Sequence, residues 1–261
     1  MNVRMKKFLP VLSLVCAFAA QADDVVVSEN IFGLMAVDSG TANTIVATPW
    51  LSATGEGSVL VSNLVKTTNL SEGDKLYVIN GNGASASYDG WQISGGNWAP
   101  IGKYQVAANG TVSSVGGASA SDRAIVRGQG VWLVRSDASK PFYLYGEYSA
   151  SSATTEITEA GTQNAPKWYL VGNASTSAFE FNAAGKFSGT INAKDTIVIP
   201  TSAAPLVLTY TNNVWTGQAV SNYTDSVLGT IDVYYSVTTN SVPAGTGFWY
   251  VSRGGTPTIT W

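Results

Sequence analysis

Two stretches decide how this chain is read: Arg127-Gly-Gln-Gly-Val-Trp132-Leu-Val134 and Pro243-Ala-Gly-Thr-Gly-Phe-Trp249-Tyr-Val251. Both have the form Gly-x-Gly, apolar, Trp, apolar, Val. Working outward, Gly73-Asp74-Lys-Leu-Tyr-Val78 aligns with Lys194-Asp195-Thr-Ile-Val-Ile199. Trp98 lies 34 residues before Trp132, and Trp215 lies 34 before Trp249. Thr44-Ile-Val-Ala-Thr-Pro49 aligns with Trp168-Tyr-Leu-Val-Gly-Asn173. Four matches in the same order point to an internal duplication. The boundary is expected in the Ser- and Ala-rich stretch Ser149–Thr155, giving a first β unit over 23–150 and a second over 151–261. With no long linker between them, the two units are expected to pack against each other.

Within each unit the apolar period is two, the signature of a half-buried strand. Ile231, Val233, Tyr235 and Val237 alternate with Thr230, Asp232, Tyr234 and Ser236. Leu206, Leu208 and Tyr210 lead to Asn212-Asn213, residues that tolerate a left-handed backbone, and Val214-Trp215 starts the return, which predicts a hairpin. Leu76-Tyr-Val-Ile79 and Phe142-Tyr-Leu-Tyr145 are apolar on both faces and belong centrally in a sheet. The paired glycines are expected in the turn that enters each Trp strand, where a missing Cβ permits positive φ or close backbone approach. Their spacing also matches phosphate-binding loops, but a strand follows where that motif requires a helix. Helix is expected only around Val61, Leu64 and Val65, ended by Asn69 and Gly73. The fold class expected is therefore all-β: two tandem, related β-sandwich-like units packed together, with little helix outside the leader.

That leader is residues 1–22. Arg4, Lys6 and Lys7 precede the apolar run Phe8–Ala20, which is too short for an ordinary membrane span and closes as Ala20-Gln21-Ala22, so cleavage before Asp23 is expected. An uncleaved anchor is the alternative. Lipidation at Cys16 is disfavoured, because Val15 stands where a small residue is needed. Loss of the leader leaves 11 basic against 17 acidic groups, a net charge of −6. Nucleic acid is a poor partner for such a surface. The chain has no His, and its one Cys is in the leader. The mature protein thus has no Ser-His-Asp or Cys-His nucleophile system, no disulfide, and none of the usual zinc, copper or haem ligands. No cofactor and no enzymatic activity are expected. Asp74 and Asp195 begin equivalent strands, which points to turn or cap roles rather than acid–base chemistry. No Asp-x-Asp-x-Asx-Gly calcium loop is present.

Trp168-Tyr-Leu-Val-Gly-Asn173, the hairpin ending at Trp215 and the run Pro243–Val251 together resemble a β module found, often in tandem, in secreted and surface proteins of bacteria. Similar two-copy proteins form paralogous sets in Planctomycetes, Verrucomicrobia and Lentisphaerae. The resemblance implies an exported location and an all-β fold, and it brings no functional residue with it. The first unit departs from the pattern at Thr48-Pro49-Trp50 and by an insert from Asn80 to Tyr104.

That insert carries the candidate ligand site: Tyr88, Asp89, Trp91 and, after a Gly-Gly-Asn turn, Trp98. Aromatic faces near a carboxylate suit stacking on sugars. The competing expectation is that Trp98 fills a core as Trp215 does and that Trp91 staples the hairpin; Trp50 is open to either role. The functional expectation is a secreted or cell-surface, non-enzymatic structural or adhesive protein, with self-association favoured by low charge and many aromatics. Membrane contact is expected only through the leader during export. A carbohydrate-binding module is the first alternative. The second is an outer-membrane barrel, suggested by the terminal strand ending at Trp261, although the short apolar runs, often apolar on both faces, fit a barrel poorly.

Overall fold

The computed structural model describes residues 32–37, 42–47, 58–80, 87–106, 112–116, 123–147, 152–200, 205–225, 229–237 and 241–261. The leader, Cys16 and Trp50 lie outside them. The chain is all-β. Its first half contains β1 (Phe32–Val37), β2 (Asn43–Val46), β3 (Ser58–Leu60), the short helix α1 (Val61–Leu64), β4 (Val65–Lys66), β5 (Lys75–Asn80), β6 (Ser87–Ser94), β7 (Asn97–Val106), β8 (Val112–Ser114), β9 (Ala124–Val126), β10 (Val131–Val134) and β11 (Phe142–Glu147). The second half contains β12 (Thr154–Glu156), β13 (Lys167–Gly172), β14 (Phe179–Glu180), β15 (Phe187–Thr190), β16 (Thr196–Ile199), β17 (Leu206–Thr211), β18 (Val214–Asp225), β19 (Gly229–Val237), β20 (Ser241–Val242), β21 (Gly247–Ser252) and β22 (Thr256–Thr260). No helix of the described residues is long and apolar enough to cross a membrane.

Strand order is the same in both halves. A six-stranded sheet runs β2-β10-β5-β6-β7-β8 in the first and β13-β21-β16-β17-β18-β19 in the second. A three-stranded sheet runs β1-β11-β4 and then β12-β22-β15, and a two-stranded pair is β3-β9 and then β14-β20. All pairings are antiparallel. Among the described residues each large sheet has two distinct end strands.

Alternation along the strands explains the layering, since every second residue turns to the same face. In β10, Val131 and Leu133 are fully buried while Trp132 and Val134 are half-buried on the other face. The inward set of the first large sheet (Val131, Leu133, Leu76, Val78, Trp91, Ile93, Trp98) packs against Val37, Phe142, Leu144 and Val65 of the small sheet. The second core repeats this with Phe248, Tyr250, Ile197, Leu208 and Trp215 against Ile259 and Phe187. Each half is thus a three-on-six sandwich around its own core. The doubly apolar strands β5 and β11 are interior in their sheets, as their composition requires.

The segment Asn80–Tyr104, expected to be an insert, is instead the β5–β6–β7 part of the sheet, and its counterpart is β16–β17–β18. Trp98 pairs with Ile93 as Trp215 pairs with Tyr210. Both hairpins turn on two left-handed residues, Gly95-Gly96 at φ 59° and 76° and Asn212-Asn213 at 53° and 64°. Such turns match the right-handed twist of the flanking strands. The connection before β6 is as long as its counterpart before β17, and the halves differ in length elsewhere, as in the longer connections β2–β3 and β10–β11 of the first half.

The halves meet where β2 and β13 approach. Val46 bridges Thr246, and Val171 bridges Gln129. The Ala47 amide donates to the Gly245 carbonyl at 3.0 Å, and the Gly172 amide to the Gly128 carbonyl at 2.9 Å. By strand position Val46 corresponds to Val171, one residue on from the alignment of Thr44–Pro49 with Trp168–Asn173 read in the sequence, and Gln129 corresponds to Thr246. Each contact is therefore matched by one with the halves exchanged, the pattern of an isologous, two-fold-like interface. The two glycines of each Gly-x-Gly serve it differently. Gly128 and Gly245 take φ of 86° and 75°, whereas a Cβ at Gly130 would come within 2.9 Å of Ile45 Cγ2, and one at Gly247 would meet the same atom at 2.9 Å.

Candidate functional site

The residues first considered for sugar stacking do not form a platform. Trp91 is 1% exposed and Trp98 9% exposed, both within the first core, and Trp98 Nε1 donates to the Val65 carbonyl at 2.9 Å. A ring with no open face cannot receive a sugar ring. Alternation separates the other two. Asp89 lies on the inward side beside Val78, paired to Arg123 at 3.3 Å through Oδ2, while its buried Oδ1 receives no hydrogen bond among the described residues. Tyr88 turns to the opposite face, between Trp132 and Trp249, each 6.4 Å away and edge-on. It therefore joins the halves through two tryptophans at equivalent strand positions. Burial pushes the Tyr88 hydroxyl up to about 12. This aromatic seam continues through Tyr77 to Tyr104 and through Trp249 to Trp168.

The two strand-opening aspartates are both buried and both hold loops. Asp74 accepts from the Ser71 amide and from the Ser136 amide and hydroxyl. Asp195 accepts from the Asn192 amide at 2.9 Å, the Arg253 amide at 2.6 Å and the Tyr250 hydroxyl at 2.7 Å. Burial, with the Asp195 carboxylate next to it, raises the Tyr250 hydroxyl pKa. Asn173 does similar work, its amide donating to the carbonyls of Ser177, Val242 and Pro243. These polar groups bind strands and turns to one another.

One cavity combines open volume with polar walls. It measures about 390 Å3 and lies between the halves, walled by the turn Val126–Gln129, by the end strand β12 and by Tyr169–Val171 of the end strand β13, with Ile79 and Arg123 at its margin. Arg127 reaches across the junction, Nε and one terminal nitrogen donating to the Ala174 carbonyl at 3.3 and 3.1 Å. Arg123 is held by Asn80 and Asp89. The Thr155 hydroxyl accepts from Trp261 Nε1 at 2.9 Å. Tyr169 exchanges hydrogen bonds with the backbone of Glu159, so its ring is fixed. Glu156 is exposed on β12. Fixed guanidinium groups, an amide, hydroxyls and a carboxylate around a cavity of this size can orient a small polar ligand. Reading the sequence for aromatics near a carboxylate missed this group. Its one legible trace was Arg127, at a motif position occupied by Ala244 in the second half.

Among the described residues no three His, Cys, Asp or Glu side chains are grouped to hold a metal ion. Comparison with protein-family models, curated proteins and solved structures finds no match for this chain.

Proposed function

We propose that the chain is an exported, non-enzymatic structural or adhesive protein, made by duplication of one β unit and acting at or outside the cell surface, where its low charge favours self-association. The observation that carries the reading is the equivalent use of Asp74 and Asp195: the carboxylates repeated in both halves are buried and engaged by backbone and hydroxyl donors, as scaffold rather than as acid–base pairs. The exchanged contacts between halves support a single rigid body suited to a load-bearing or surface role. The leader, with its charged start, apolar run and Ala-x-Ala end, supports export. A barrel draws no support from large sheets that end in two distinct strands.

Fractionation of producing cells with N-terminal sequencing tests the proposal. Recovery outside the cytosol with Asp23 as first residue is expected, and recovery mainly in the cytosol with the leader intact overturns it. Residues 23–261 are further expected to be soluble without detergent, and mass measurement in solution over a range of concentrations reads the self-association.

A further inference from the structure

The two-fold-like junction creates two equivalent places where the turn of one half meets the small sheet of the other, and they have been furnished differently. In one, the left-handed Gly245 faces apolar atoms: a Cβ there would meet Val37 Cγ2 at 2.6 Å, Leu144 Cδ1 at 2.8 Å and Met35 Sδ at 3.1 Å. In the other, Gly128 faces the Thr155 hydroxyl and Trp261 Nε1, and the cavity of about 390 Å3 opens beside it. Apolar atoms meet the turn at the first place; at the second, arginine, threonine, glutamine and glutamate share the walls with Ile79, Val126, Leu170 and Val171. A scaffold does not need that polarity, since the apolar counterpart joins the halves without it.

We infer that this second cleft is a saccharide-binding site, taking a neutral sugar of one or two rings. Size and chemistry lead there together. The volume falls at the low end of small-molecule sites, which span about 300–1,000 Å3. Arg127, Gln129 and Glu156 offer planar polar groups that donate to and accept from vicinal hydroxyls, and Tyr169 offers a fixed ring for an apolar sugar face. Charge favours a neutral ligand: Arg123 at the margin is already paired with Asp89, which lies outside the lining, and Glu156 offsets the charge of Arg127, so little net charge is left to attract an anion. The site gives the adhesive reading a chemical target and rests on that reading for its role. Binding by the isolated chain is nevertheless independent of where the cell delivers it, so the two fail separately.

Calorimetric titration of residues 23–261 with maltose, cellobiose and lactose, and with glucuronate and galacturonate, is the test. Saturable binding of at least one neutral disaccharide is expected. Glu156→Gln should weaken it about tenfold, the scale of one charge-assisted hydrogen bond. Thr154→Trp, which fills the cleft from an exposed strand position, should abolish it, and both variants should keep the parent Tm. If Thr154→Trp fails to fold, the Glu156→Gln result alone decides. Absence of binding to all five sugars, unchanged affinity in the folded variants, or tighter binding of either uronate than of every neutral sugar overturns the inference.

Discussion

Asp195 shows how much a single side chain holds in this fold. Its carboxylate gathers Asn192, Arg253 and Tyr250 at 2.6–2.9 Å in a site with no exposure. Removing it strands buried donors, each costing about 1–3 kcal/mol. Asp195→Ala should therefore lower stability by at least about 2 kcal/mol in urea unfolding, and Asp74→Ala should follow in the first half. Trp91→Ala opens a void in the first core and should cost about 3–5 kcal/mol, while leaving any saccharide affinity of the folded protein unchanged. Tyr88 sets an alkaline limit. Its folded pKa, about 12 against an ordinary 10.0, lies above the unfolded value, so in the pH window between them the unfolded state loses the proton first. The corresponding stability is complete below pH 10 and declines as pH rises toward 12, by about 2–3 kcal/mol in all. Burial shifts Tyr77 and Tyr250 in the same direction. Alkaline unfolding followed by tyrosinate absorbance should begin above about pH 10, and Tyr88→Phe should move its midpoint upward.

At the scale of elements, the strands that meet at the junction of the halves impose the strictest limits on residue size. Gly247 sits against β13, where a Cβ would press on the Val171 carbonyl and on Ile45. Backbone cannot yield as a flexible side chain can, so Gly247→Ala should destabilise by more than the few tenths of a kcal/mol typical of a surface change, about 1–3 kcal/mol. Limited proteolysis should then cut first between the halves. Gly185→Ala makes a useful contrast: Gly185 takes a positive φ of 76°, which Gly247 does not, but has open space around the missing Cβ, so it bears only the backbone cost, about 1 kcal/mol. The hairpins obey local rules. Asn212-Asn213 turns between β17 and β18 because asparagine accepts the left-handed region, and Gly95-Gly96 does the same between β6 and β7.

For the whole molecule, the exchanged contacts make the junction part of the fold rather than a hinge. Val46 with Thr246 and Gln129 with Val171 bridge main chains across it, and Tyr88 lies between Trp132 and Trp249 over the same seam. Thermal unfolding of residues 23–261 should accordingly be a single transition by near- and far-ultraviolet circular dichroism; two separated transitions would show that the halves melt independently.

Much of this was legible in one dimension because it depends on near neighbours: period-two alternation, left-handed turn residues, glycines before each Trp strand and doubly apolar segments in sheet interiors are all local consequences of backbone geometry. The roles of Asp74 and Asp195 could be read too, since a residue standing at the same point of two similar segments serves what those segments have in common. Which face each residue of β6 would occupy, and what would cover it, lay beyond that reach. Trp91 and Tyr88 are three positions apart, yet one is sealed inside a sandwich and the other joins two of them. The cleft is less local still, because Arg127, Thr155 and Tyr169 meet only when one half docks on the other, and whether such a meeting place is filled by methionine and leucine or left open among polar groups is decided by packing across the whole chain.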